Sequence, residues 1–493
     1  MSYQQLEQHQ QRLYRLSHLG AICGWDQAAV MPQGGNEARA EAMAELDLLL
    51  HTARTAPQLA QWISDAEAEP LSELQRANLH EIKRQWQDAT LLPGDLVEAL
   101  SLAGSRCEHA WRRQRKENDW AGFAPNLEEV VRLSREVATL RAEALSVRPY
   151  DAMLALYEPG MTSARLDVIF GDLGQWLPGL IQDVTTRQRQ TQPLQPRGPF
   201  PIASQQALGQ EVMGLLGFDF AHGRLDVSSH PFCGGVPTDV RITTRYNEDE
   251  FVSSLMGIVH ETGHARYEQG LPRHLLGQPV AEARSMGIHE SQSLFCEMQL
   301  GHDPAFLNLI APHIARHFGT QPALAPENLA RLYLDVKPGL IRVDADEVTY
   351  PAHVILRYEL ERDLIEGRIE VADIPELWDA KMQQWLGLST KGNYRDGCMQ
   401  DIHWTDGSFG YFPSYTLGAM YAAQLRFALE RALGASLGTL VAQGRLADVF
   451  GWLQQNVWQH GSAFDTDELV RRASGEALNP QWLRQHLEQR YLK

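Results

Sequence analysis

The sequence predicts a mostly helical fold, with one small β-sheet lying just ahead of a helix that carries chemistry. Three observations lead there. Residues 1 to about 190 are dominated by stretches whose apolar residues recur at helical spacing. Only one region, between about 225 and 244, alternates polar and apolar residues as a strand does. A helical pattern then follows it at once and contains His260-Glu261-Thr262-Gly263-His264.

Taking the chain in order, residues 6–22, 38–53, 71–89 and 127–146 each place apolar residues along one stripe and charge on the opposite face. Pro32 and the Gly34-Gly35 pair separate the first two of these helices. No fixed-period repeat is visible, which argues against a solenoid. The segment 191–203, TQPLQPRGPFPIA, is the richest in proline and marks the expected boundary between a helical N-terminal lobe, 1–190, and a catalytic lobe, 204–493. Length alone would suggest several domains, but these two lobes are read as one unit.

After that boundary, Leu225-Asp226-Val227-Ser228 and Asp239 to Thr244 read as strands, with HPFCGGVPT as a turn-rich connection. In the second segment Asp239, Arg241 and Thr243 share one face, and Val240, Ile242 and Thr244 the other. The helix that follows is expected to be capped by Asn247 with Glu250 three residues later, and to stop at Gly270 and Pro272.

Two histidines four apart share a helix face, so His260 and His264 can both point at one metal ion. Glu261 follows His260 and can reach a water held there. A catalytic zinc site needs a third protein ligand and an open position. Tyr267 and Gly270 occupy the positions where a metzincin carries glycine and its third histidine, so that class is excluded. Glu268 lies on the same face but about 12 Å along the axis from His260, too far for one ion. The remaining candidates are Glu282, Glu290 and Glu297 in the helical-looking stretch 281–300. Glu290 is the preferred ligand, and Glu297, further along the same stripe, could orient a histidine.

HETGH followed by HESQS resembles the carboxypeptidase Taq family of zinc metallocarboxypeptidases. Further blocks occur in order: His230-Pro231-Phe232, the DxRxT block Asp239 to Thr243, and the GxxQDxHW block Gly397 to Trp404. Trp25-Asp26-Gln27 and Tyr157 to Thr162 carry the likeness into the N-terminal half. The resemblance implies a two-lobed helical metallopeptidase with a deep central groove, zinc that cobalt can replace, and a homodimer. It implies release of single residues from peptide C-termini with broad tolerance and poor cleavage next to proline. It also implies a substrate-binding role for His230.

Peptide hydrolysis gives the other candidates their roles. Glu261 is the expected general base. His403, then Tyr411, then Tyr415, are the expected donors to the oxyanion, and either tyrosine could hold substrate. A free terminal carboxylate calls for arginine, whose planar fork matches it; Arg241 and Arg342 are the candidates, with Asp239 beside Arg241 on its strand. A salt bridge to Asp344 or Asp346 is the alternative for Arg342. The rival functions are a zinc endopeptidase on the same scaffold, which would not need the arginines, an aminopeptidase, and a helical binding module without activity.

Composition bounds the partners. The chain has 44 basic and 62 acidic residues, a net charge of −18, which argues against nucleic acid or an anionic membrane. The N-terminus lacks the apolar core of a signal peptide, and no run is long enough for a membrane span. Five scattered cysteines suit a reducing compartment, so the expected location is cytoplasmic.

Overall fold

The computed structural model describes residues 1–493, folded as twenty α-helices around a single three-stranded sheet. Helices cover the N-terminal half as the periodicity predicts: Ser2–Ala29, Asn36–Arg54, Glu73–Thr90 and Trp120–Leu145 match the four stretches to within two residues at the ends that fall short, and Pro32 and the glycines break the first pair. No helix is long and apolar enough to cross a membrane.

One hydrophobic core of 88 buried residues runs from Leu96 to Leu487, drawing on side chains from both sides of the 191–203 segment. Two small cores stand apart from it: one in the first ninety residues, built from Tyr3, Leu6, Leu59, Ile63, Ala66, Leu79 and Ile82, and one between the sheet and the helix that follows it. The proline-rich segment is thus a surface connection laid over a continuous interior.

The strands are β1 (Gly223–Val227), β2 (Phe232–Val236) and β3 (Asp239–Thr244), in the order β1-β3-β2. β3 is parallel to β1 and antiparallel to β2. The HPFCGGVPT segment is therefore not only a connection, because its Phe232–Val236 part pairs with Asp239 to Thr243 of β3. Its two glycines hide the strand from a side-chain pattern, and the main-chain ladder alone defines it. Gly235 has φ +87°, the left-handed region in which a side chain is strained, and it makes the tight turn into β3 possible.

The inner face of the sheet, Leu225, Val240 and Ile242, packs with Ile258 and Ala265 on the back of the central helix, Val252–Gly270. That helix begins five residues after the predicted Asn247 cap. Asn247 Oδ1 instead accepts from Asp249 N at 3.0 Å in the preceding turn, while Glu250 Oε1 accepts from Ser253 N at 2.9 Å and satisfies a first-turn donor. Phe251, the residue just before the helix, is buried with Phe200 and Phe318 at centroid distances of 4.9 and 4.7 Å. The helix ends at Gly270 as predicted.

The stretch 281–300 divides in two. A crossing helix, Met286–Leu294, is capped by Ser285 Oγ, which accepts from Ile288 N at 3.1 Å. It passes directly into a π-helix, Phe295–Gly301. Such helices carry an i→i+5 bond pattern, are rare, and often mark functional sites.

Candidate metal and substrate site

Gly263, between the two histidines of HETGH, is where the crossing helix meets the central one. A Cβ there would stand 2.6 Å from Ser293 Cα and closer still to the Gln292 carbonyl oxygen, so only glycine admits this approach. Gly418, on the helix Pro413–Leu433, does the same from the other side, since its Cβ would meet Glu290 Cγ at 2.7 Å. Pressed between the two, Glu290 is directed at the histidine face. One donor atom from each of His260, His264 and Glu290 lies within 4.8 Å of the others. Glu290 Oε2 is 3.3 Å from His264 Nε2.

The donor types suit zinc, and the His264–Glu290 separation of 3.3 Å matches its geometry. Ligands about 2.0–2.1 Å from a tetrahedral zinc ion stand about 3.3 Å from one another, and two imidazoles with one carboxylate leave a fourth position open. Each histidine also has its other nitrogen engaged. His260 Nδ1 is 2.6 Å from Glu297 Oε2, which leaves Nε2 for a metal. His264 Nδ1 is 2.6 Å from His289 Nδ1, and His289 Nε2 is 2.8 Å from Glu268 Oε1. Glu268 is not among the three converging donors and stands at the end of a chain leading to His264. Burial alone would raise the Glu290 carboxyl, but the His264 hydrogen bond and the His260 charge bring it down to about 2, so it is an acceptor only.

Glu261 is 7 % exposed. Burial, assisted by the nearby Glu290 and Glu297 charges and opposed by His260, raises its carboxyl to about 7.

A second cluster gathers His403, Tyr411, Tyr415 and Arg342. The His403 ring lies 5.4 Å from that of Tyr411 and 4.5 Å from Phe412, and its Nε2 is 3.1 Å from Tyr415 Oη. Burial holds His403 down to about 4, against the raising effect of Asp401, so it is neutral near pH 7. Burial and the neighbouring phenols and Glu290 push the Tyr411 and Tyr415 hydroxyls upward, keeping them protonated donors. Tyr415 lies one helical turn before Gly418, on the face that meets Glu290, which brings this cluster to the His260–His264–Glu290 group.

Arg342 pairs with neither Asp344 nor Asp346. Its Nε and Nη2 both lie 2.9 Å from Asp401 Oδ1, and its main-chain N donates to Gln400 Oε1 at 2.8 Å. The Gln-Asp of the GxxQDxHW block is thus what holds the arginine loop. The Asp401 carboxylate is shared with Arg357, which meets its Oδ2 at 2.6 Å, and Arg342 Nη1 donates to Tyr350 Oη at 2.7 Å. Two guanidiniums around one carboxylate leave a surplus positive charge in an acidic protein.

Arg241 is placed differently. It is bidentate to Asp239 at 2.5 and 2.7 Å, and its guanidinium stacks on Trp25 of the first helix at 4.5 Å. Asp239 is lowered by that hydrogen bond, so the pair is locally neutral. His230 is exposed in the β1–β2 connection, its carbonyl accepting from Ser228 Oγ at 2.5 Å.

Sequence reasoning missed several supports. His289 stands beside Glu290 in HESQS, so its position was legible although its contact was not. Glu158, within the Tyr157–Thr162 block, is 1 % exposed, accepts from Gly287 N and from Ser414 Oγ at 3.0 Å, and joins the starts of two site helices. Burial raises its carboxyl to about 7.

The family model for the carboxypeptidase Taq (M32) metallopeptidases matches residues 5–491. Thermostable carboxypeptidase 1 of Thermus thermophilus is 38% identical over 506 residues, covering 99% of this chain and 98% of that protein. Carboxypeptidase 1 of Bacillus subtilis is 33% identical, over 97% of this chain and 96% of its own. Among solved structures, Trypanosoma cruzi metallocarboxypeptidase 1 superposes with a TM-score of 0.98 at 48% identity, covering 100% of this chain and 99% of that one. The M32 carboxypeptidase of Deinococcus radiodurans gives 0.93 at 33% identity over the full length of both chains. Sequence and architecture agree from end to end, and this chain belongs to the carboxypeptidase Taq (M32) family of metallocarboxypeptidases.

Proposed function

We propose that this metallocarboxypeptidase is zinc-dependent, with His260, His264 and Glu290 as ligands, Glu261 as general base and Arg342 as the anchor for the substrate's terminal carboxylate. The observation that carries the reading is the convergence of three donors from two helices within 4.8 Å, beside a buried carboxyl.

Zinc, when bound, supplies the Lewis acidity that makes a water nucleophilic near neutral pH. Glu261 accepts the proton of the attacking water on a carboxylate oxygen and delivers it to the leaving amine. Neutral His403 and the phenols of Tyr411 and Tyr415 donate to the oxyanion that develops on the scissile carbonyl. Loss of one such donor costs about 2.7–4 kcal/mol in a comparable site.

Arg342 is preferred to Arg241 because its carboxylate partner is shared with a second arginine, so it retains attraction for another anion. Arg241, neutralised by Asp239, shapes the sheet edge of the groove, and His230 hydrogen-bonds the substrate main chain there. Kinship with the family supports broad side-chain tolerance, slow cleavage next to proline, activity with cobalt, a homodimer and a cytoplasmic location.

The test compares one peptide as its free acid and as its C-terminal amide, with metal content measured on the same preparation. Strong preference for the acid with one zinc per chain is expected. Equal cleavage of acid and amide would overturn the role of Arg342.

A further inference from the structure

The last helix, Gln481–Tyr491, reaches the site through a buried cluster that the mechanism above does not use. Glu347, 6 % exposed, lies five residues beyond Arg342. Three side chains of the last helix hold it: His486 Nε2 at 2.5 Å, Arg490 Nη1 at 3.1 Å and Tyr491 Oη at 3.0 Å. Arg426 Nη1 lies 2.9 Å from His486 Nδ1; an arginine only donates, so Nδ1 accepts and the His486 proton on Nε2 goes to Glu347. From this anchorage Arg490 continues to the π-helix. Its Nη1 donates to the Met298 carbonyl and its Nη2 to the Gln299 carbonyl at 3.2 Å.

Those carbonyls lie in the last turn of a helix ending at Gly301, where acceptors lack partners within the helix and a cation suits the dipole. Pro304 has no N–H to offer Gln299 at i+5. The turn so held begins one residue after Glu297, whose Oε2 lies 2.6 Å from His260 Nδ1. The same arginine is thus braced by the Arg342 loop on one side and fixes the backbone behind a metal-orienting carboxylate on the other.

We propose that Arg490 is a positioning residue for the metal site: anchored by Glu347, it fixes the end of the π-helix and with it the Glu297 carboxylate that orients His260. This rests on the zinc-site reading above. The test measures zinc affinity of the full-length protein by chelator competition, with kcat, KM and thermal midpoint on the same samples, for Arg490→Met, Arg490→Lys, Glu297→Gln and the Arg490→Met/Glu297→Gln double variant. Arg490→Met is expected to weaken zinc binding about tenfold. Excess zinc should restore most of kcat with KM little changed, and Arg490→Lys should recover part of the affinity. The double variant should bind zinc no more weakly than Glu297→Gln alone, because both changes act through one carboxylate.

Zinc affinity within twofold of wild type in a folded Arg490→Met, or fully additive losses in the double variant, would overturn the proposal. If Arg490→Met does not fold, Glu347→Gln, which loosens the anchor but leaves Arg490 in place, is held to the same two outcomes. Unchanged zinc affinity in His264→Ala would instead remove the zinc-site reading itself.

Discussion

Gly263 and Ser293 are in contact across the two site helices, so close that a Cβ on the first would stand 2.6 Å from the Cα of the second. This contact brings a glutamate 26 residues beyond His264 onto the histidine face. Replacing Gly263 with alanine is expected to force the helices apart at a place where backbone meets backbone. A loss of roughly 1–3 kcal/mol in stability should accompany a fall in bound zinc, read by thermal unfolding and metal analysis. Full zinc occupancy at wild-type stability would show that the approach is not needed.

Glu261→Gln keeps size and hydrogen bonding but cannot take a proton. It should retain about one zinc per chain while kcat falls by roughly 10²–10⁴. Steady-state kinetics with metal analysis on the same sample decides this, and wild-type turnover in the variant would remove Glu261 as the base.

The two candidate arginines should separate cleanly. Arg342→Met is expected to raise KM for free-acid peptides and to erase the preference over amides, costing roughly 1.5–3 kcal/mol in kcat/KM, the scale of a hydrogen bond to a charged group. Arg241→Met, which frees Trp25 and Asp239, should act mainly on stability. The reverse pattern in an acid-versus-amide assay would exchange their roles.

His289 lies between His264 and Glu268 and engages His264 Nδ1, which leaves Nε2 for the proposed metal. His289→Phe should weaken zinc binding by about 10–100-fold, with Glu268→Gln smaller in the same direction. Chelator competition measures both, and unchanged affinity in His289→Phe would show that the contact does not tune the ligand.

Burial holds His353, His403 and His486 down to about 3, 4 and 4 respectively. In the unfolded chain each titrates near about 6.5. Their neutral burial is therefore harmless above pH about 6.5 and costs increasing stability as pH falls from there toward about 4, because the unfolded state binds the protons first. The carboxyls of Glu158 and Glu261, raised to about 7, act in the opposite sense over the same range. The histidine share is therefore read by difference: relative to wild type, the denaturant midpoint of His353→Phe should rise as pH falls from 7.5 to 5, and parallel profiles would contradict it.

Some of this protein was written locally. The spacing of His260 and His264 needs only the helical period, and the DxRxT strand needs only alternation, so both were legible residue by residue. So was the helical N-terminal half, whose apolar stripes are its main folding signal. Strand β2 was not, because Gly234 and Gly235 carry no side-chain pattern and the strand exists through its ladder with β3. The start of the central helix was missed because the Asn247–Glu250 spacing reads as a cap, whereas Asn247 closes the preceding turn on Asp249 and only Glu250 meets a first-turn donor.

The sequence by itself determined which groups could do chemistry: two imidazoles on one helix face, a carboxyl beside them, and arginines in an acidic chain. Tertiary structure alone decided how they are partnered. Arg342 meets Asp401 rather than its neighbours Asp344 and Asp346, Arg241 is neutralised by Asp239 under Trp25, and His264 leans on His289 and Glu268. The reason is physical. Helical and strand periods are set within a few residues, whereas a charge partner is chosen by whatever burial brings within about 3 Å, and close packing across glycines sets those distances.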